Sequence, residues 1–137
     1  MPFRVRNAWR LTLAVVLAAI FSACASGPRL ATLEAQVIPD SRLALPPDAE
    51  LSVQLENASQ VGANLVAEAN FVRLGDGPIP VMLRYDAEAI DQDDIYVLRA
   101  DIRSDGRLLY TTPEPVPVLT GDAPDSNVSI AIERVDR

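Results

Sequence analysis

Between residues 31 and 133 the chain repeatedly alternates apolar with polar residues, and this period of two limits the fold more than any other feature. The clearest case is residues 51–56, in which Leu51, Val53 and Leu55 alternate with polar side chains. Successive side chains of a β-strand point to opposite faces, so the pattern predicts strands with one buried face and one exposed face. An amphipathic helix is not indicated anywhere in this region.

Turn residues separate the alternating segments. Asp105-Gly106 is the strongest of these signals, because Asp-Gly readily takes the positive φ angles of a tight hairpin turn. The alanines of the third segment also allow a short helix there. We predict strands at residues 31–38, 51–56, 65–71, 79–85, 96–103, 108–112 and 128–133. The expected fold is all-β, a single antiparallel β-sandwich of about seven short strands.

An export signal is predicted at the amino terminus. Arg4, Arg6 and Arg10 precede an apolar run from Leu11 to Phe21, and small residues follow. This is the order of regions in a cleaved signal peptide. The run is much shorter than the roughly 20 residues that span a bilayer as a helix, so a permanent transmembrane segment is not expected.

The end of the signal has two interpretations, and both involve Cys24, the one cysteine of the chain. Residues 21–24 resemble the lipobox of bacterial lipoproteins, with Phe21 where leucine is usual, and Cys24 would then be the lipidated first residue. The alternative is ordinary signal cleavage in Ala23-Cys24-Ala25, which would release a soluble periplasmic protein. We favour lipidation, since a lone cysteine at the end of an apolar segment otherwise has no evident purpose.

Lipidation defines the expected domain organisation. Residues 1–23 are the lipoprotein signal peptide, residues 24–30 the lipidated cysteine with a short tether, and residues 31–137 the β-sandwich domain. In lipoproteins of this kind an aspartate after the cysteine commonly means retention at the inner membrane. Ala25 therefore suggests an outer-membrane anchor that faces the periplasm.

Composition excludes several functions. The chain has 12 basic and 19 acidic residues, and three of the basic ones lie in the signal, so the mature charge is 9 − 19 = −10. Such a surface repels phosphate, which argues against nucleic-acid binding. Histidine and lysine are absent. The usual general bases and amine nucleophiles are therefore missing, and we expect no enzyme activity and no cofactor, although a carboxylate pair remains open.

Three groups of residues are candidate sites. The acidic residues Asp91, Asp93 and Asp94 could offer oxygen ligands to calcium, but acidic turns are usually solvated caps, and we predict no metal site. Tyr85, Tyr96 and Tyr110 are expected to lie in the core rather than line a binding groove, and Tyr96 and Tyr110, which flank the predicted hairpin, to be neighbours across it.

The third group is a proline-spaced segment near the carboxyl terminus, which is either a partner-binding edge or a protected edge. The candidate edge consists of Thr112, Pro113, Pro115, Val116, Pro117 and Val118.

Three segments of the chain carry a family resemblance: residues 45–59, 78–86 and 96–112. They are similar, in the same order, to the YbaY family of lipoproteins, which is grouped with the YscW-type lipoprotein chaperones of type III secretion. The resemblance implies a compact β-sandwich, a lipid anchor and no catalytic residues. The YscW-type members are pilotins, which escort a secretin subunit to the outer membrane.

Two functions follow as expectations. The first is a non-catalytic envelope lipoprotein that binds an envelope protein through a sheet edge or an apolar groove, in the manner of a chaperone. The alternative is a periplasmic module that binds a small ligand or glycan in a concave pocket with convergent polar groups.

Overall fold

Eight β-strands account for most of the computed structural model, which describes residues 29–62 and 64–135. The predicted signal peptide, Cys24 and most of the tether lie outside the described residues. The strands are β1 (Leu30–Pro39), β2 (Glu50–Asn57), β3 (Asn64–Phe71), β4 (Ile79–Asp86), β5 (Tyr96–Ser104), β6 (Arg107–Thr111), β7 (Val116–Val118) and β8 (Val128–Arg134).

The seven predicted strands are confirmed, and one was missed. Residues 64–71 form a strand rather than the helix that their alanines also allowed. The additional strand is β7, which lies in the proline-spaced segment that the sequence predicts to be an edge and that is not among the seven predicted strands. The turn between β5 and β6 is the expected one, since Asp105 and Gly106 have φ angles of 53° and 77°.

The predicted all-β class is confirmed, but the sheet is not clearly the predicted sandwich. The strands follow the order β3-β2-β5-β6-β8-β1-β4, with β7 beside β5, and they form one nearly closed barrel. The sheet is also not wholly antiparallel, because β8 runs parallel to β1.

The physical reason lies in β8, which pairs with two different neighbours. Val128 to Ile132 lie beside β1, whereas Glu133 and Arg134 lie beside β6. One strand thus passes from one half of the sheet to the other and forms a corner. Alternation identifies the buried face of each strand, but it contains no information about this shared pairing.

The inward faces of the strands form a single aliphatic core. Leu33, Val53, Leu98 and Ile130 are all completely buried, although they come from four different strands. Fully burying such a side chain stabilises the fold by about 1.5–3 kcal/mol. The core therefore holds together both halves of the sheet.

Two of the tyrosines confirm the core assignment. Tyr96 and Tyr110 are both buried. The expectation that they are neighbours across the hairpin is wrong, because Tyr110 lies opposite Ile102 and Tyr96 lies opposite Val118.

A pair of leucine substitutions tests this core. Leu98→Ala should lower the free energy of unfolding by about 2–5 kcal/mol, because it removes a fully buried side chain from a central strand and leaves a cavity. Leu65→Ala makes the same chemical change at a side chain that is 53% exposed, and should change it by less than about 0.5 kcal/mol. Urea denaturation measures both, and equal effects would contradict the core assignment.

Candidate partner-binding surfaces

Thr112 begins the proline-spaced segment, and it lies in the interior. Its hydroxyl accepts a hydrogen bond from the Ala100 N–H at 2.9 Å and donates one to the Ala100 carbonyl at 3.1 Å. The Thr112 N–H also donates to that carbonyl. Thr112 thus fixes the start of the segment to β5 and offers little to a partner.

The rest of the segment lies along β5 and contains β7. Pro117 lies opposite Val97 in the ladder that joins β7 to β5. Because proline has no N–H, this must be a non-hydrogen-bonded pair, and the main chain of Pro117 faces away from β5. Pro115 faces the same way, and the next outward amide, that of Leu119, already donates to the Pro124 carbonyl at 3.0 Å.

The free edge of β7 therefore has no amide donor available at positions 115, 117 and 119. A strand added there would find acceptors but few donors, which is how natural sheets prevent edge-to-edge association. The prediction that this segment is a partner edge stays a prediction, and it requires contact through side chains such as those of Val116 and Pro117.

The position of Pro117 also determines which residues of β5 and β2 direct their main-chain N–H and C=O groups to which neighbouring strand. The main-chain groups of Val97 point away from β7, and Val97 lies opposite Glu56 of β2. The main chain of Glu56 and of each second residue before it therefore faces β5. The hydrogen bonds of Ala100 to Thr112, on the opposite side of β5, agree with this phase.

The same alternation of main-chain hydrogen bonds extends to β3. Val53 and Leu55 direct their main-chain groups to β3, where Ala69 and Ala67 lie opposite them. The intervening residues of β3 must then point the other way. The N–H and C=O groups of Glu68 and Asn70 consequently face away from β2.

They face a seam, which we define as the gap between β3 and β4, the two ends of the strand order. In the described residues, β3 pairs with β2 alone and β4 with β1 alone. Pro80 of β4 lies opposite Gln36, so by the same reasoning its main chain also faces the seam.

The barrel also carries a surface cleft of about 560 Å³ on the outside of β8, β1 and β4. Met82, which is 58% exposed, forms part of its wall, and Gln36, Asn127 and Ser129 add polar groups. If the protein bound a small ligand, the ligand would lie in this cleft. Most of the cleft lining consists of outward-facing side chains of the sheet.

Two acidic residues between β4 and β5 accept hydrogen bonds, one within a turn and one from β2. Asp91 accepts a hydrogen bond from the Asp93 N–H at 3.0 Å, and Asp94 accepts one from the side chain of Asn57 at 2.9 Å. Within the described part of the chain, no group of three acidic or thiol side chains is arranged to hold a metal ion.

Comparison with known proteins adds to this geometry. The family model of the type III secretion system lipoprotein chaperones (YscW) matches residues 28–130. The chain belongs to the YscW family. It is also similar to an alternative pilotin from the type II secretion system of Vibrio cholerae, with 27% identity and a TM-score of 0.73 over 80% of this chain and 100% of that one. Comparison with curated proteins finds no match.

In this YscW family member, one hydrogen bond joins the first described residue to the residue that follows β4. The Arg29 carbonyl accepts from the Ala87 N–H at 2.7 Å, so the chain enters the barrel beside the short 3-10 helix Ala87–Ala89. The segment 86–94, which contains this helix, holds five acidic residues: Asp86, Glu88, Asp91, Asp93 and Asp94. No helix in residues 29–62 and 64–135 is long and apolar enough to cross a membrane.

Hydrogen exchange tests the orientation of β3. Amides of Glu68 and Asn70 should exchange at least about tenfold faster than those of Ala69 and Phe71, because only the latter pair donate to β2. Native-state exchange followed by NMR would measure all four in one experiment. Equal protection would mean that β3 and β4 close the seam with a ladder of their own.

The pKa of Tyr85, at the end of β4, tests the burial of this side chain and its proximity to Asp125. Burial raises the pKa of Tyr85 above its usual value of 10.0, and the Asp125 carboxylate raises this pKa further. The fold thus favours the neutral phenol, and this contribution to stability is lost as the pH rises from about 10 through the raised pKa. Asp125→Asn should lower the pKa of Tyr85 but leave it above 10.0, since burial remains.

Phenolate absorbance during an alkaline titration measures this pKa, and Tyr85→Phe identifies the Tyr85 component among the three tyrosines. An unchanged pKa in Asp125→Asn would exclude the electrostatic contribution.

Proposed function

We propose that this YscW family member is a lipoprotein of the outer membrane that faces the periplasm and binds an envelope protein without catalysing a reaction. The observation that carries the proposal is the family match, which extends over most of the domain. The similarity to a type II secretion pilotin over the full length of that protein supports it. Within the family we assign the chain to the YbaY-like lipoproteins, on the strength of residues 45–59, 78–86 and 96–112.

The anchor in this proposal is Cys24, exposed by removal of residues 1–23. Residues 24–30 form the tether, and residues 31–137 form the domain. Cys24 and Arg29 are five positions apart, so an extended tether would reach only about 17 Å. An acylated cysteine at that distance would keep the entry end of the barrel close to the membrane.

Charge determines how the domain would sit there. Residues 86–94, the segment that Arg29 contacts at Ala87, contain five acidic residues, and the domain as a whole is acidic. Anionic head groups repel such a surface, so we expect the barrel to stand away from the bilayer at the length of its tether. The sides of the barrel, including the seam and the edge of β7, would then be accessible to a partner in the periplasm.

Substitution of Cys24 tests the proposal in the native host. Cys24→Ala should move the protein from the outer-membrane fraction to the soluble or signal-retaining fractions, because the acyl anchor cannot form. Density-gradient fractionation with immunoblotting gives the distribution, and crosslinked pull-down of the wild type identifies the envelope protein that it binds.

Two neighbouring substitutions serve as controls. Ser26→Ala should remain in the outer membrane, since it preserves the cysteine and its surroundings. Ala25→Asp should stay lipidated but shift to the inner membrane. A wild type that is soluble in the periplasm would mean that signal cleavage occurs in Ala23-Cys24-Ala25, and the anchor would be rejected. A wild type in the membrane with no specific envelope partner would reject the chaperone role and retain the anchor.

A further inference from the structure

Among β3, β4 and β7, whose outer edges have no ladder partner within the described residues, β3 is the least protected. The edge of β7 lacks amide donors at Pro115 and Pro117, and that of β4 lacks one at Pro80. β3 contains no proline, lysine or arginine, which are the residues that most often guard an edge. Its amides at Glu68 and Asn70 face the seam.

A β-bulge restricts the available stretch. The register between β2 and β3 shifts between Leu55 and Glu56, and Val66 is the extra residue on β3. Bulges twist an edge and hinder pairing at that point. The regular part is therefore residues 67–71, which we call the β3 edge.

The inward side of the β3 edge is incompletely covered. Ala67, Ala69 and Phe71 are only half-buried, whereas their partners across the ladder, Leu55 and Val53 among them, are completely buried. Within the described residues β3 has a ladder partner on one side alone, and β4 lies on the other side without pairing. A strand on its free side would cover these three apolar residues and extend the core.

The outward side of the edge carries one uncompensated charge. Glu68 accepts a hydrogen bond from the Ser52 hydroxyl at 3.0 Å. Glu56 of the adjacent strand lies 3.8 Å from Arg99, but the ion pairs within the described residues do not include Glu68. A basic side chain beside Glu68 would therefore be favoured, as for opposite charges on neighbouring strands.

We propose that the β3 edge binds an extended segment of a partner protein as an additional antiparallel strand within the seam. The segment pairs with the main chain of Glu68 and Asn70, places small or aliphatic side chains beside Ala67 and Ala69, and directs a lysine or arginine toward Glu68. This inference rests on the proposed function, since it states the chemistry of the partner that such a chaperone takes.

A second copy of the chain is a poorer occupant. Two β3 edges in antiparallel contact bring two uncompensated Glu68 carboxylates to the same edge, and each chain has a net charge of −7. Like charges on adjacent strands are destabilising.

The seam can open for a strand because no ladder holds it closed. Cα atoms of β3 and β4 come within 8 Å of one another, which is less than the roughly 9.6 Å that two strand spacings require. Binding therefore moves the two strands apart. No main-chain hydrogen bond between β3 and β4 has to break in this movement, since the described residues contain no such pairing.

Synthetic peptides test the proposal on the full chain as the host processes it. The probe is an eight-residue peptide that alternates valine with threonine and carries one central lysine, and fluorescence anisotropy measures its binding. We expect saturable binding below about 1 mM. A peptide with alternate amides N-methylated should not bind, because its hydrogen-bonding edge is blocked.

Variants at two positions locate the binding site. Asn70→Pro removes an amide that faces the seam and should weaken binding about tenfold, whereas Asn70→Ser keeps that amide and should change binding less than about twofold. Glu68→Lys should lower the affinity for the lysine peptide by about two- to fivefold and raise the affinity for a matched peptide with glutamate in place of lysine. If Asn70→Pro lowers the melting temperature, the N-methylated peptide and the Glu68 variant carry the test on folded protein.

Four results would overturn the proposal: no saturable binding at about 1 mM, binding that survives N-methylation, binding unaffected by Asn70→Pro, or a dimer that Asn70→Pro dissociates. The last result would assign the β3 edge to a second copy. If Asn70→Pro still captures the envelope partner in cells, the β3 edge is rejected as the binding site and the proposed function stands. If the peptide binds but no envelope partner is found, the β3 edge stands as a peptide-binding site and the proposed chaperone-like function is rejected.

Discussion

The missing N–H of proline determines which way the main chain of each outer strand faces. In a ladder, each second residue bonds to one neighbour and the residues between bond to the other. Pro117 can only lie where no donor is needed, so Val97 opposite it directs its main-chain groups to β2. The registers of β5 with β2 and of β2 with β3 then determine which residues of β3 face away from β2. Pro80 does the same for β4. Two prolines thus settle which amides remain unpaired at the ends of the sheet.

Burial of the inward faces supplies the stability that makes these edges persist. Leu33 on β1 and Leu98 on β5 belong to different parts of the sheet, yet both are completely buried in one core. β8 connects the two parts, because it pairs with β1 and then with β6. A core shared in this way can keep β3 and β4 near each other without a ladder between them. The seam is consequently a place where the fold can accept another strand without losing a hydrogen bond.

The family assignment and the geometry point to the same kind of activity. A lipoprotein chaperone needs a surface that holds a partner polypeptide, and it needs no reactive group. Histidine and lysine are absent from the chain, Asp91 accepts a hydrogen bond within its turn, and Asp94 accepts one from Asn57 of β2. The edge of β7 offers few amide donors to an added strand, whereas the β3 edge combines outward-facing amides, half-buried alanines and a carboxylate outside the ion pairs of the described residues. Binding at a main-chain edge would explain how such a protein works without a deep pocket.

Local sequence determined the strands, because alternation such as Leu51, Val53 and Leu55 requires that one face be buried whatever the neighbours are. It also determined the turn at Asp105-Gly106, since only a few residues tolerate positive φ there. The sequence could not reveal the barrel, the parallel pairing of β8 with β1 or the seam. These depend on contacts between residues far apart in the chain, such as Val37 with Ile130. For the same reason the proline segment was identified as an edge from its composition, while the unprotected edge at Glu68 and Asn70 was missed. Only the tertiary structure decides which strand is left without a neighbour.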